Sequence, residues 1–409
     1  MAYSVKCPSL RIAIWIVFKA AHEMCGSSQR RNGTRKREVC SADKISVDPI
    51  KISAIHKIAG IQYLTNRDTF IFNPDASLFC NREFAIYNLT SFVSSGLSPL
   101  TFEPIFMERI WGGHRLASQF GKRTPATATI GESWEIVDRP EAQSVVRNGR
   151  FRDRTLHELW TQDRQLIFGG VQDAPRFPLL IKLLDAHDRL SLQVHPPEKV
   201  AAKLGGEPKT EFWYVASAIP GAKLYVGLRE AVTPDQFEQA VRAGTVASLV
   251  HNIDAKTGDS IFLPAGRFHA VGAGNVLAEV QQNSDTTYRV YDWNRVVDDG
   301  KGRQLHVEQA LQSIDFNDVA PGLIQPEGEL LIRHELFEIQ KWNLDSPREI
   351  GPTGQFAIVC CLTGAIRCVD VDLRPGEFFL VPASLEDRHL RPRESETSLL
   401  RVTIPKITP

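Results

Sequence analysis

The chain has 409 residues, room for two or three domains, and 43% of them are hydrophobic, enough to fill a core. Lys and Arg total 48, as do Asp and Glu, so net charge gives no argument for nucleic acid or a membrane surface as partner. The balance is uneven along the chain: residues 1–98 carry 13 basic against 7 acidic side chains, and residues 99–409 carry 35 against 41.

Residues 1–98 show no sustained apolar period. The run "IAIWIVF" at 12–18 spans seven residues and is closed by Lys19, far short of the roughly 20 that a membrane span needs. The basic run "RRNGTRKR" at 30–37 reads as a solvated tail. This segment is expected to be an N-terminal leader, disordered or translated from a start codon upstream of the true one. Cys7, Cys25, Cys40 and Cys80 fall in it, Cys360, Cys361 and Cys368 fall near the other end, and residues 100–359 have none. An odd count without zinc or disulfide spacing favours a reducing, cytoplasmic setting.

From Phe102 the text becomes short β-rich runs punctuated by Gly and Pro, among them "GESWEIVD" (131–138), "FWYVAS" (212–217), "AKLYVGL" (222–228) and "DSIFLPAG" (259–266). That spacing predicts a mainly β sandwich or barrel. Helices interrupt it at "TLHELWTQ" (155–162), "TPDQFEQAVRAG" (233–244) and "HVEQALQSI" (306–314). In the second of these Thr233 and Gln236 form a capping box, Pro234 fits the first turn and Gly244 is the expected stop. "GDSIFLPAG" at 258–266 returns as "GEFFLVPAS" at 376–384, so one β unit is present twice. Only the first copy has candidate ligands upstream.

Those candidates begin in "SLQVHPPE" at 191–198. In a strand, residues two apart share a face, so Ser191, Gln193 and His195 project together and Leu192 and Val194 project oppositely. Pro196 and Pro197 then end the pairing. Glu211 opens the aromatic strand "EFWYV", where an inward carboxylate needs a compensating cation, and His269 follows the glycine turn in "PAGRFH". Nitrogen and oxygen donors of this kind suit a zinc ion.

The chain from about Phe102 onward resembles the type I mannose-6-phosphate isomerases of the cupin superfamily, in their shorter bacterial form. "GDSIFLPAGRFHAVGAGN" matches the second cupin motif, and "QVHPPE" followed by "KTEFWYV" matches the first as that family has it. "RIWGG", "GESWEI", "FPLLIKLLDA", "LSLQVHP" and "EVQQNSDTTYRVYDWNR" follow in the family's order. The resemblance implies two cupin-type jelly-roll β domains with a few helical insertions: a catalytic metal-binding domain over 99–320 and a metal-free β domain over 321–409. It implies one Zn²⁺ per chain on Gln193, His195, Glu211 and His269, with Glu211 the one charged ligand. Arg289 and Lys209 take catalytic places. Ser191 and Lys182 are implied as phosphate ligands, and Trp111 and Trp134 as walls of the sugar site. The general base stays open between Glu279 and a zinc-bound water.

The expected activity is interconversion of mannose 6-phosphate and fructose 6-phosphate through an enediolate, by a monomer or weak homo-oligomer whose partner is a small sugar phosphate. Two rival readings are a regulatory cupin that binds sugar phosphates without chemistry, and another metal-dependent cupin enzyme such as an oxygenase. Deleting residues 1–98 is expected to leave soluble, active protein; loss of soluble protein on truncation would count against a leader.

Overall fold

The computed structural model describes residues 96–296 and 300–405. The expected leader lies outside the described residues except for its last three, Gly96 to Ser98. Leu97 is already buried, at 5% exposure, and Leu100 pairs with Leu380. A truncation that ends before Gly96 spares both.

In chain order the first part runs through β1 (Ile105–Gly113), β2 (Ile130–Ile136), the hairpin β3 (Asp138–Arg139) and β4 (Ala142–Gln143), β5 (Leu179–Ala186), β6 (Leu192–Val194), β7 (Glu211–Ala218), β8 (Lys223–Leu228), β9 (Val250–Asp254), β10 (Ser260–Leu263), β11 (His269–Val271), β12 (Asn275–Gln282) and β13 (Tyr288–Tyr291). The second part adds β14 (Leu330–Arg333), β15 (Glu338–Leu344), β16 (Arg348–Glu349), β17 (Ala357–Thr363), β18 (Ile366–Cys368), β19 (Val371–Leu373), β20 (Phe378–Val381), β21 (His389–Pro392) and β22 (Thr397–Thr403). The architecture is mainly β, as the alternating runs predict.

Two antiparallel sheets make the first sandwich, ordered β1-β2-β5-β12-β7-β10 and β13-β6-β11-β8-β9. Alternation assigns the faces. Phe212 and Tyr214 of β7 join a large core shared with the second sandwich, which includes Phe337, Ile339 and Ile358. Trp213 and Val215, between them, face the other sheet and meet Leu224, Val226 and Val271. On β6, Leu192 and Val194 point outward to a core that holds Phe237 and Ala310, carried by the helices Pro234–Arg242 and Val307–Ser313. Ser191, Gln193 and His195 are thereby left facing the interior between the sheets.

The predicted cap forms. Thr233 accepts from the backbone N–H of Gln236, whose side chain accepts from that of Thr233, and Pro234 opens the helix. Thr155 and Glu158 make the same reciprocal pair at the helix Leu156–Gln162. Gly244, with φ of +70°, stands two residues beyond Arg242 and turns the chain.

The second sandwich has sheets ordered β14-β15-β22-β17-β20 and β16-β21-β18-β19. The internal echo is structural: β10 lies at a sheet edge beside β7, and β20 lies at a sheet edge beside β17. Leu263 pairs with Glu211, and the equivalent Val381 pairs with Ala357. The second copy therefore has alanine where the first has a candidate ligand. Among the described residues, no helix is long and apolar enough to cross a membrane.

The insertion that carries Trp160 and Phe168 packs onto the second sandwich through Phe356, whose ring lies 5.6 Å from that of Phe168. Gly169 makes the next contact, a bridge to Gln355 at φ of +66°. A Cβ there would stand 2.2 Å from the Gly354 carbonyl oxygen. Gly169→Ala is expected to cost about 2–4 kcal/mol through left-handed strain and overpacking, read as a lower melting temperature with metal content unchanged.

Candidate metal and active site

The site forms at one end of the first sandwich. Register brings Gln193 opposite both His269 on β11 and Arg289 on β13, so these three form a row across the smaller sheet. Directly opposed residues share a face. His195 follows at the end of β6, and its carbonyl accepts from the N–H of Gly266 at 2.8 Å. With φ of +98° at Gly266, the "PAGRFH" turn comes close beside His195. Glu211 reaches in from the opposite sheet, where β7 begins.

The side chains of His195, Glu211 and His269 converge, with ligand atoms within 4.8 Å of one another, and all three are buried. His195 Nε2 lies 3.2 Å from Glu211 Oε1, and His269 Nε2 lies 3.8 Å from Glu211 Oε2. Each imidazole donates its Nδ1–H to a carbonyl, His195 to Thr286 and His269 to Arg267, both at 2.8 Å. That fixes the tautomer and turns both Nε2 lone pairs inward. Burial holds both imidazoles neutral: with help from Lys209 it pushes His195 down to about 3, and it lowers His269 as well. His195 Nε2 and Glu211 Oε2 are buried without a hydrogen-bond partner. Two inward lone pairs and a carboxylate, crowded together with His195 Nε2 and Glu211 Oε2 unsatisfied, are what a cation would complete, and the donor set fits zinc.

The Gln193 amide lies 3.4 Å from His269 Nε2, and half a turn about its terminal bond presents Oε1 to the same point. Lys209 Nζ sits 2.7 Å from Glu211 Oε1. Burial works against ionising Glu211, but the Lys209 ammonium outweighs it and holds its pKa well below the usual carboxylate range.

Beside this cluster lies a cavity of about 300 Å³. Lys182, Lys209, Glu211, Glu279, Ser191, Gln193, Arg289 and Trp111 line it. Lys182 stands opposite Glu279 in register, with Nζ 3.0 Å from Glu279 Oε1 and 3.7 Å from Glu132 Oε2. Burial opposes its charge, yet Glu132, Glu279 and Glu211 raise its pKa above the ordinary lysine value. Burial first, then Glu211, pushes Glu279 up to about 7. Trp213 Nε1 donates to Glu279 Oε2 at 2.9 Å.

Trp134 departs from its expected place. It is not among the cavity walls; its ring packs with Val137, Ala142 and Leu180, and its Nε1 donates to Glu132 Oε2 at 2.6 Å. It shares a strand face with Glu132, but β1 covers its end of the sheet through Ile105 and Met107. The group that reaches the cavity is Glu132, which sequence reasoning passed over although it stands in "GESWEI" two residues before Trp134. Arg109 Nε donates to Glu132 Oε1 at 3.0 Å. Burial opposes ionisation of Glu132, but Lys182 and Arg109 bring its pKa down to about 2. Asp285, Thr287, Arg303 and His306 also line the cavity and were not foreseen. The signal for the last two was a basic, glycine-flanked stretch after β13, "GKGRQLH", with no strand period to give it direction.

Comparison with known proteins decides the family. Residues 100–216 match the family model for the catalytic domain of type I phosphomannose isomerase. A mannose-6-phosphate isomerase of Streptococcus mutans is 37% identical over 300 residues, covering 69% of this chain and 94% of that protein. The mannose-6-phosphate isomerase ManA of Bacillus subtilis is 35% identical over 300 residues, 70% of this chain and 94% of its own. The chain belongs to the type I mannose-6-phosphate isomerase family. The crystal structure of the Bacillus subtilis mannose 6-phosphate isomerase superposes with a TM-score of 0.67 at 31% identity, covering 75% of this chain and 100% of that one. A mannose 6-phosphate isomerase bound with zinc and yttrium shares the fold at a TM-score of 0.58 and 18% identity, over 76% of this chain and 100% of that one.

In this member of the family Glu132 balances two cations, and the balance is testable. Glu132→Ala leaves Lys182 and Arg109 short of a carboxylate in a buried setting and is expected to destabilise by about 3 kcal/mol. Urea unfolding of Glu132→Ala and Glu132→Gln checks this, with the smaller loss expected for the amide, which still accepts from Trp134.

Proposed function

We propose that this chain interconverts mannose 6-phosphate and fructose 6-phosphate through an enediolate, with one zinc ion held by Gln193, His195, Glu211 and His269. The observation that carries the reading is the pair of buried, inward-facing imidazole lone pairs beside Glu211, at the edge of a cavity whose wall includes the buried carboxylate of Glu279. The relatives at 35–37% identity support the reaction, and the zinc named for the neighbour with the same fold supports the metal. Bound there, zinc supplies a positive field to the oxygens of the substrate, where charge develops.

The chain's own residues divide the remaining work. Glu279 takes the proton from the carbon next to the carbonyl and returns it to the neighbouring carbon, and its raised pKa suits a base that works near neutral pH. Lys182, at 3.0 Å from Glu279, donates to the carboxylate and to sugar oxygens. Lys209 keeps Glu211 ionised. Arg289, in one row with Gln193 and His269, directs its guanidinium at the enediolate oxygens. Trp111, with Leu184 and Leu190, supplies the apolar wall that a sugar ring needs. A protein that only bound sugar phosphates would have no use for a buried base. The second sandwich acts as a metal-free support, consistent with Ala357 at the place of Glu211. Three buried free thiols, Cys360, Cys361 and Cys368, support a cytoplasmic home, where the chain acts as a monomer or weak homo-oligomer.

A coupled assay with mannose 6-phosphate, with and without chelator, tests the whole reading. Activity should vanish with chelator and return with zinc; full activity in zinc-free protein, or bound iron with oxygen-dependent turnover, would overturn it. His269→Ala should lose zinc and turnover together, with partial recovery in excess zinc. Glu279→Gln should keep zinc and lose about 10²–10⁴-fold in kcat, and Arg289→Ala about 10²–10³-fold. Unchanged kcat with a higher KM would return Arg289 to substrate binding.

A further inference from the structure

The two ends of the cavity differ in charge. At the inner end every cation is committed to a carboxylate: Lys182 to Glu279 and Glu132, Lys209 to Glu211, and Arg109 to Glu132. Glu211 and Asp285 add to the negative surroundings of Lys182. A phosphate dianion brought to Lys182 would meet Glu132 and Glu279 at once. The sequence reading gave Lys182 that anion; the geometry gives it two others already.

The outer end is built differently. Arg289 donates its Nε–H to Ser191 Oγ at 3.2 Å and its Nη1–H to the Gln304 carbonyl at 3.0 Å. It has no carboxylate of its own among the described residues, and its charged surroundings are Arg303, Arg295 and Asp292. Arg303 donates Nε–H and Nη2–H to the two oxygens of Asp292 at 2.8 and 2.6 Å. Its Nη1 has no protein partner among the described residues, and the side chain lines the cavity. Asp292 is buried and also takes Arg295 at 2.6 Å, which reaches Asp188 as well. Trp293 and Asn294, both at φ of +57°, form the strained turn that folds Arg295 back onto Asp292. His306 closes this end, its Nδ1 accepting from the Arg289 backbone N–H.

We propose that Arg303 anchors the phosphate of the substrate at this outer end, and that Asp292 is its positioning residue. The proposal rests on the sugar-phosphate reading above and adds the place and the direction of binding. A guanidinium fixed from behind through two nitrogens offers the remaining N–H groups in a set direction, with little freedom left to lose on binding. Arg289 lies between Arg303 and the row of metal ligands, so the phosphate is held at the mouth while the reacting carbons extend toward Glu279. Ser191 belongs to the phosphate end through Arg289, and Lys182 belongs to the reacting end.

Titration calorimetry with inorganic phosphate on the zinc-loaded enzyme, together with steady-state kinetics on mannose 6-phosphate, tests this. Arg303→Ala should weaken phosphate binding and raise KM by about 10–100-fold, the range of one charge-assisted contact, with kcat held within about threefold. Arg303→Lys should fall between it and the wild type. Asp292→Asn keeps the guanidinium but loosens its hold, and should raise KM by about 3–10-fold. Lys182→Met should lower kcat and bind phosphate as the wild type does. Wild-type phosphate affinity and KM in both Arg303 variants would overturn the proposal, as would loss of phosphate affinity in Lys182→Met alone. If the wild-type enzyme failed to turn over mannose 6-phosphate, the isomerase reading would fall, and the phosphate titrations would still decide whether Arg303 holds the anion.

Discussion

Glu211 is ionised at 1% exposure between two sheets, and most of the site follows from what that requires. A carboxylate taken out of water is sustained only by cations and donors brought equally deep. Lys209 comes from the same strand face, two residues earlier. The two histidines come from the opposite sheet with their lone pairs turned in by Thr286 and Arg267. A lysine alone would satisfy one oxygen; the other, without a hydrogen-bond partner, is the opening that a metal fills. The same logic repeats one row away, where Lys182 sits between Glu132 and Glu279. The cavity is therefore a chain of alternating charges, each of which needs its neighbour to remain buried.

Much of this was legible from residue order because it is local. The alternation in "SLQVHPPE" assigned Gln193 and His195 to one face, and the capping box at Thr233 announced its helix. Glu132 was not legible, because its importance depends on the pairing of β2 with β5, which brings it within reach of Lys182, and no local pattern encodes that register. Arg303 and His306 escaped for a related reason: their loop is aimed by Asp292 and by the backbone of Arg289, contacts without a period. Trp134 shows the opposite error. It shares a strand face with Glu132, but a face is longer than a cavity, and the ring lies under β1.

The second sandwich shows what remains of the architecture when the charges are taken away. Its edge strand β20 pairs with β17 as β10 pairs with β7, yet Ala357 occupies the position of Glu211 and Val359 that of Trp213. After the repeated Pro-Ala, Arg388 is buried and donates to the carbonyls of Gly351, Pro382 and Gln355. The shared core, with Phe356 against Phe168 and Phe177, fastens the second sandwich to the first.

The indole of Trp213 donates to Oε2 of Glu279, and an indole nitrogen can donate but never accept. The other oxygen, Oε1, faces the Lys182 ammonium at 3.0 Å, so each oxygen looks at a donor fixed to the protein. A carboxylate held through both oxygens cannot swivel: its plane is set by a tryptophan N–H bond on one side and a lysine on the other, so a single direction of approach from the cavity is built into the fold.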